Sequence, residues 1–145
     1  MAHPSSLDTL IELATTETDA AAKKLGSAIR AHEETEKRLA LLLQYRDDYA
    51  IRFQSSLAVG LTAAGYRNFQ LFLDKLDTAI AGQQNIVNEA QKRIDAERSA
   101  WQASERKRMS YDTLAVRARQ AELRLEVKRD QKQTDELAAR LSYRA

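Results

Sequence analysis

The stretch His32-Glu33-Glu34-Thr35-Glu36 opens as a helical zinc-protease motif does, with a histidine followed by a glutamate. That chemistry needs a second histidine four positions on, so that two imidazoles share one helix face while the glutamate serves as base. Position 36 is a glutamate instead, and the other histidine is His3, so no third ligand is at hand. His32 is therefore expected to be a histidine at a helix seam. Gly60-Leu61-Thr62-Ala63-Ala64-Gly65-Tyr66-Arg67 has the glycine spacing of a phosphate-binding loop. It lacks the lysine and hydroxyl residue that would hold phosphate and metal, and no strand precedes it. Carboxylate pairs such as Asp47/Asp48 are plentiful, but raising one pKa for acid–base work requires a desolvating cleft, which a helical chain of this kind does not offer. The chain has no cysteine, which removes disulfides, thiolate metal sites and cysteine nucleophiles. No catalytic residue, metal site or cofactor is expected.

The basic side chains invite a nucleic-acid reading through Arg98, Arg106, Lys107, Arg108, Arg117 and Arg119. Net charge is only +2 over 145 residues, and although residues 101–145 carry an excess of base, acids are interleaved throughout. Interleaving of that kind marks a solvated helix surface rather than a polyanion site. A nucleic-acid-binding coiled coil would show binding that falls steeply with salt. No basic, apolar leader opens the chain, and its longest apolar run, Leu39 to Leu43, is far too short for a membrane span.

The elements behind these residues are helices. One proline (Pro4) and 4 glycines leave almost nothing to punctuate the sequence, which argues against an all-β fold. Apolar residues recur at three- and four-residue steps, the spacing of coiled coils. On the first segment a seam runs through Leu7, Ile11, Ala14, Thr18, Ala21, Leu25, Ile29, His32, Glu36, Leu39, Leu43, Arg46, Ala50 and Phe53. It contains one doubled four-residue step at Leu25, a stutter that would alter the supercoil locally. On the second segment the seam runs through Phe69, Leu73, Leu76, Ile80, Gln83, Val87, Ala90, Ile94, Glu97 and Trp101. It continues with Ser104, Arg108, Tyr111, Ala115, Ala118, Glu122 and Leu125.

Ser55 to Gly65 holds the one credible break: Gly60 can close a helix in the left-handed conformation, and Thr62 can cap the next. Ser5 or Ser6 after Pro4, with Asp8 in the first turn, signals the first helix start. The expected architecture is all-α: a single domain over 1–145 forming a long antiparallel two-helix coiled-coil hairpin. Helix 1 is expected at about 6–55, the turn at about 56–62, and a longer helix 2 at about 63–142. The second helix should overrun the first by roughly 40 Å. Leu114, Ala118, Ala121, Leu125, Leu137 and Leu141 form an apolar stripe along that overrun, which suggests an external partner.

Near the turn there is more apolar surface than one seam can use, since a two-stranded coil buries about two positions in seven. Arg38, Leu42, Tyr45 and Tyr49 share one face of helix 1, and Phe72, Leu76, Ala79 and Gln83 share one face of helix 2. In hairpin order they fall at matching levels, 38 with 83, 42 with 79, 45 with 76 and 49 with 72. Either this strip is the core and Leu39, Leu43 and Phe53 are exposed, or the reverse holds and its aromatics are free to anchor a partner. Leu76 belongs to both sets.

Several short motifs carry a family resemblance. Leu39 to Ile80, with Tyr45, Tyr49, Gly60-Leu61-Thr62, Asn68-Phe69-Gln70-Leu71-Phe72, Leu76 and Ala79, resembles the FliJ/YscO family of flagellar export proteins. The run Asp130-Gln131-Lys132-Gln133-Thr134-Asp135-Glu136-Leu137 is similar to the same family, as is the opening Leu7-Asp8-Thr9-Leu10 with Leu13 and Glu17. The resemblance implies a coiled coil similar to the terminal helices of rotary-ATPase γ subunits. It also implies a non-enzymatic component of the flagellar type III export apparatus, in the cytoplasm and peripheral at the inner-membrane face of the flagellar base.

The partners it implies are the hexameric ring of the export ATPase FliI, the export-gate protein FlhA, and export chaperones, with no nucleic acid and no membrane span of its own. The family's gate-binding strip maps onto Arg38, Leu42, Tyr45, Tyr49, Phe72, Leu76, Ala79 and Gln83. In the family the two outer positions are glutamine and histidine, so Arg38 and Gln83 depart from its pattern. Position on the hairpin puts Leu10, Leu13, Glu17, Asp130, Gln131, Lys132 and Asp135 at the ATPase end. An elongated monomer is expected for the chain alone. A generic scaffolding coil is the alternative of a different class, separable by sedimentation.

Overall fold

The computed structural model describes residues 6–144. They form α1 (Ser6–Val59) and α2 (Ala63–Arg144), an all-α two-helix hairpin in which the second helix is the longer and the helices pack against each other. Pro4 and Ser5, expected at the first helix start, lie outside the described residues; Asp8 is in the first turn of α1, where a negative charge favours the helix N-terminus. The packing divides into two compact units. One holds α1 as far as Asp19 together with α2 from Gln102; the other holds Ala20–Trp101.

In the unit Ala20–Trp101 the turn is shorter than the seven positions around 56–62 that the sequence suggests. α1 runs on to Val59, and Gly60 takes a positive φ of 112°, where a side chain would be strained. The Gly60 amide donates to the Ser56 carbonyl at 3.0 Å, closing the last turn. Thr62 caps α2: its hydroxyl accepts from the Gly65 amide at 3.0 Å while its carbonyl accepts from Tyr66 N at 2.9 Å. Leu61 folds back over Gly65 so closely that a Cβ there would lie 2.6 Å from Leu61 Cδ2. The second glycine thus makes room for the residue that seals the turn.

The inward face of α1 in this unit passes through Leu25, Ala28, His32, Thr35, Leu39, Leu42, Arg46, Tyr49, Phe53 and Ser56, all buried or half-buried. Threes and fours alternate along it without interruption, so the expected stutter at Leu25 is absent. Ile29, Glu36 and Leu43 are exposed, and their expected places in the seam fall to Ala28, Thr35 and Leu42. At position 28 the physical reason is size. Ala28 is among the most buried residues, because a small side chain lets the two backbones approach where isoleucine would hold them apart. On α2 the expected seam holds at every position from Phe69 to Trp101, with Ile94 buried.

In the unit containing the chain ends, Ala14 and Thr18 of α1 and Ala115 of α2 are buried. The Thr18 hydroxyl is satisfied by the Ala14 carbonyl at 2.8 Å, so a polar group enters this narrow interface at little cost. Lys107 Nζ lies 3.8 Å from Glu17 across the helices. Ser104, Arg108 and Tyr111 keep to the expected α2 seam, but Ala118, Glu122 and Leu125 do not. Every described residue of α2 after Ala115 is exposed, since no part of α1 lies opposite it. None of the described large side chains is fully enclosed, as expected where two helices alone supply the packing.

Candidate partner-binding site

Five aromatic residues in the unit Ala20–Trp101, joined by four ring contacts, set the geometry near the turn. Tyr49 lies with its ring centroid 5.0 Å from Phe69 and 4.3 Å from Phe72, both tilted. Phe53 lies 5.2 Å from Phe69, and Tyr66 extends the stack at 5.4 Å from Phe53. Offset and tilted pairs at these separations attract beyond the area they bury. They brace the surface on which Tyr45 stands.

The eight positions of the expected gate-binding strip divide into two groups. Leu42, Tyr49, Leu76 and Gln83 are half-buried between the helices, so the expectation that the strip is either wholly core or wholly exposed is corrected. Gln83 Nε2 donates to the Thr35 carbonyl at 3.0 Å, a helix-to-helix bond that a histidine-free seam position supplies. Arg38, Tyr45, Phe72 and Ala79 remain exposed, Tyr45 at 63% and Phe72 at 44%. Leu39 and Phe53 are half-buried as well, whereas Leu43 faces water. The interface thus takes members from both candidate strips, because its heptad register runs between them.

Tyr45, Asp48, Tyr49, Arg52 and Phe72 line a shallow depression of about 270 Å³. Asp48 and Arg52 are absent from the strip read in the sequence, which followed apolar positions alone. Their spacing from Tyr45, three and seven residues on, is the signal that could have found them. Asp48 accepts from Gln44 Nε2 at 3.1 Å. Beside the strip, Arg46 Nε donates to Asp77 at 2.5 Å across the helices. That hydrogen bond, aided by the charge of the guanidinium, holds the Asp77 carboxyl below the usual carboxylate range and raises the guanidinium further.

His32 is half-buried on the seam, with Nε2 3.3 Å from Glu36, as a seam histidine should be. No group of three metal-ligating side chains occurs among the described residues.

In the other unit, the expected ATPase-end residues also fall in two places. Leu10, Leu13 and Glu17 border a small crevice with Ala14, Lys107 and Tyr111, and Leu10 and Leu13 are exposed. Asp130, Gln131, Lys132 and Asp135 stand exposed on α2 beyond its packed part. There the Thr134 hydroxyl bonds the Asp130 carbonyl at 2.9 Å, within the helix. Lys107 and Tyr111 were not placed at the ATPase end; Tyr111 lies on the expected α2 seam and Lys107 one turn before it, and that placement made them findable. Arg108 is held by Glu105 and Asp112, one turn away on either side, and the Glu105 carboxyl is lowered chiefly by its hydrogen bond to Arg108.

Exposed aromatic and aliphatic side chains on a helical hairpin define a binding protein that works through its helix surfaces. The model of the family described as "Flagellar FliJ protein" matches residues 3–145. The Flagellar FliJ protein of Escherichia coli (strain K12) is 31% identical over 144 residues, covering 99% of this chain and 98% of the relative. That of Salmonella typhi is 29% identical over 144 residues, with the same coverage. The chain belongs to the flagellar FliJ protein family. It is accordingly a non-catalytic component of flagellar protein export. No helix among the described residues is long and apolar enough to cross a membrane.

Proposed function

We propose that this export component binds and stimulates the FliI ATPase ring, couples it to the export gate FlhA at the cytoplasmic face of the inner membrane, and handles export chaperones. The observation that carries the reading is the exposure of Tyr45 and Phe72 beside half-buried Tyr49. Two aromatic side chains are left in water over a depression that also offers a carboxylate and a guanidinium. Such a patch gains most from a protein partner, since burying each ring removes a large apolar area from water. Arg38, Leu42, Leu76, Ala79 and Gln83 border it, and the half-buried members hold the aromatic side chains in place.

The ring would take the exposed part of α2 with Asp130, Gln131, Lys132 and Asp135, together with Leu10, Leu13 and Glu17. A helix without a packed neighbour is marginal in water, so a surrounding ring gives the apolar stripe there its cover. The deciding experiment is a pull-down with the cytoplasmic region of FlhA. Tyr45→Ala should abolish capture with helicity unchanged; undiminished capture would remove the gate contact from this face.

A further inference from the structure

The turn end of the unit Ala20–Trp101 has a composition unlike the rest of the chain. Between Asp48 and Asp74 there is no acidic residue, although the sequence holds 21 acids in 145 residues. The charges in that interval are Arg52 and Arg67, and residues 53–66 between them carry none. Neither arginine has a carboxylate within ion-pair distance among the described residues; Arg67 Nε only approaches the Ala63 carbonyl at 3.5 Å.

The apolar side chains at this end point into water. Val59 is 91% exposed, and Leu57 and Tyr66 are also exposed. Nothing lies within 4 Å of where a Gly60 Cβ would be, so the tip is convex and open.

We propose that this tip docks onto an anionic lipid bilayer surface. A bilayer accepts a convex apolar tip without a shaped cavity, and Leu57 and Val59 would enter the acyl boundary while the Tyr66 ring lies at headgroup level. Arg52 and Arg67, one on each helix, flank the tip at the level where lipid phosphates would lie. The missing acids are the complementary feature, because one carboxylate there would repel the surface that the arginines attract. The contact is peripheral and reversible, since a few side chains bury too little apolar area for anchorage. It lies on other residues than the ring contact and shares only Arg52 with the depression proposed for the gate, so Val59→Glu and Arg67→Gln test the tip alone.

The test is co-sedimentation of the full chain with vesicles of phosphatidylcholine alone or mixed with phosphatidylglycerol. Binding should favour the anionic vesicles and weaken as salt rises. Val59→Glu should lower it on the order of ten-fold, and its exposed position leaves helicity by circular dichroism intact. Arg52→Gln and Arg67→Gln should each cost roughly five-fold on anionic vesicles and little on neutral ones. Absence of binding to anionic vesicles would overturn the proposal. So would binding that Val59→Glu leaves unchanged, which would move the contact to another part of the chain. Loss of FlhA capture in Val59→Glu without any vesicle binding would give the tip to a protein instead.

Discussion

The ring of Tyr49 lies 4.3 Å from that of Phe72, centroid to centroid, the closest of the four aromatic contacts that tie α1 to α2 near the turn. Tyr49 faces the partner helix, whereas Tyr45, one turn earlier on α1, faces water. Two tyrosines that look equivalent in sequence therefore do different work.

Tyr49→Ala should destabilise the fold by about 1–3 kcal/mol, through lost burial and two lost ring contacts. Tyr45→Ala should stay within about 0.5 kcal/mol of the parent. Thermal unfolding followed at the helical circular-dichroism band separates the two, and equal losses would show that Tyr45 is also structural.

Gly60→Ala should cost about 1–2 kcal/mol because alanine must adopt a positive φ. Thr62→Ala should cost about 1 kcal/mol by removing the cap on the Gly65 amide. Denaturant titrations report both, and a neutral Gly60→Ala would mean that the turn can be remade with ordinary backbone angles.

The carboxyls of Asp77 and Glu105 are held below their ordinary range by hydrogen bonds from Arg46 and Arg108. A carboxyl with a lowered pKa in the fold contributes stability that is present above its unfolded pKa. That contribution is lost as pH falls through the lower folded value. Stability should thus decline on acidification below about pH 4, and Asp77→Asn should make that decline shallower. Asp77 is exposed and Glu105 only half-buried, so the effect should be small and should shrink further in high salt. An identical acid limb in Asp77→Asn would remove the Arg46–Asp77 pair from the account.

Truncation after Arg124 removes residues that are exposed throughout the described part of the segment. The unfolding temperature should hardly move and FlhA capture should persist, while stimulation of FliI ATPase activity should fall. Full stimulation by the truncated chain would take the ring contact away from residues beyond Arg124.

The sequence made α2 far more legible than α1. From Phe69 to Ala115 enough well-spaced apolar residues mark the α2 seam for periodicity to carry it through Gln83, Glu97, Ser104 and Arg108. On α1 the same method prefers Ile29, larger and more apolar than the inward Ala28, and Leu43, which in type is the equal of the inward Leu42. Ala28 and Thr35 carry little hydrophobic signal, yet they permit close helix approach and accept the Gln83 amide. A reading weighted for smallness would have kept the heptad through Leu25. The overrun of α2 was legible because it is a matter of length, whereas the split of the gate strip depends on a register shift of one residue. Asp48 and Arg52 escaped notice because the strip was drawn through apolar positions alone, although both keep helical spacing from Tyr45.

In the unit containing the chain ends the interface rests on one short stretch of α1, and its buried residues are Ala14, Thr18 and Ala115. These are small side chains, and parting them tears no large plug out of a socket. Each heptad of α1 that lets go from the Ser6 end would bare roughly another 10 Å of α2. Fraying of α1 from Ser6 would therefore lengthen the naked helix in steps, like a sleeve rolled back from a wrist.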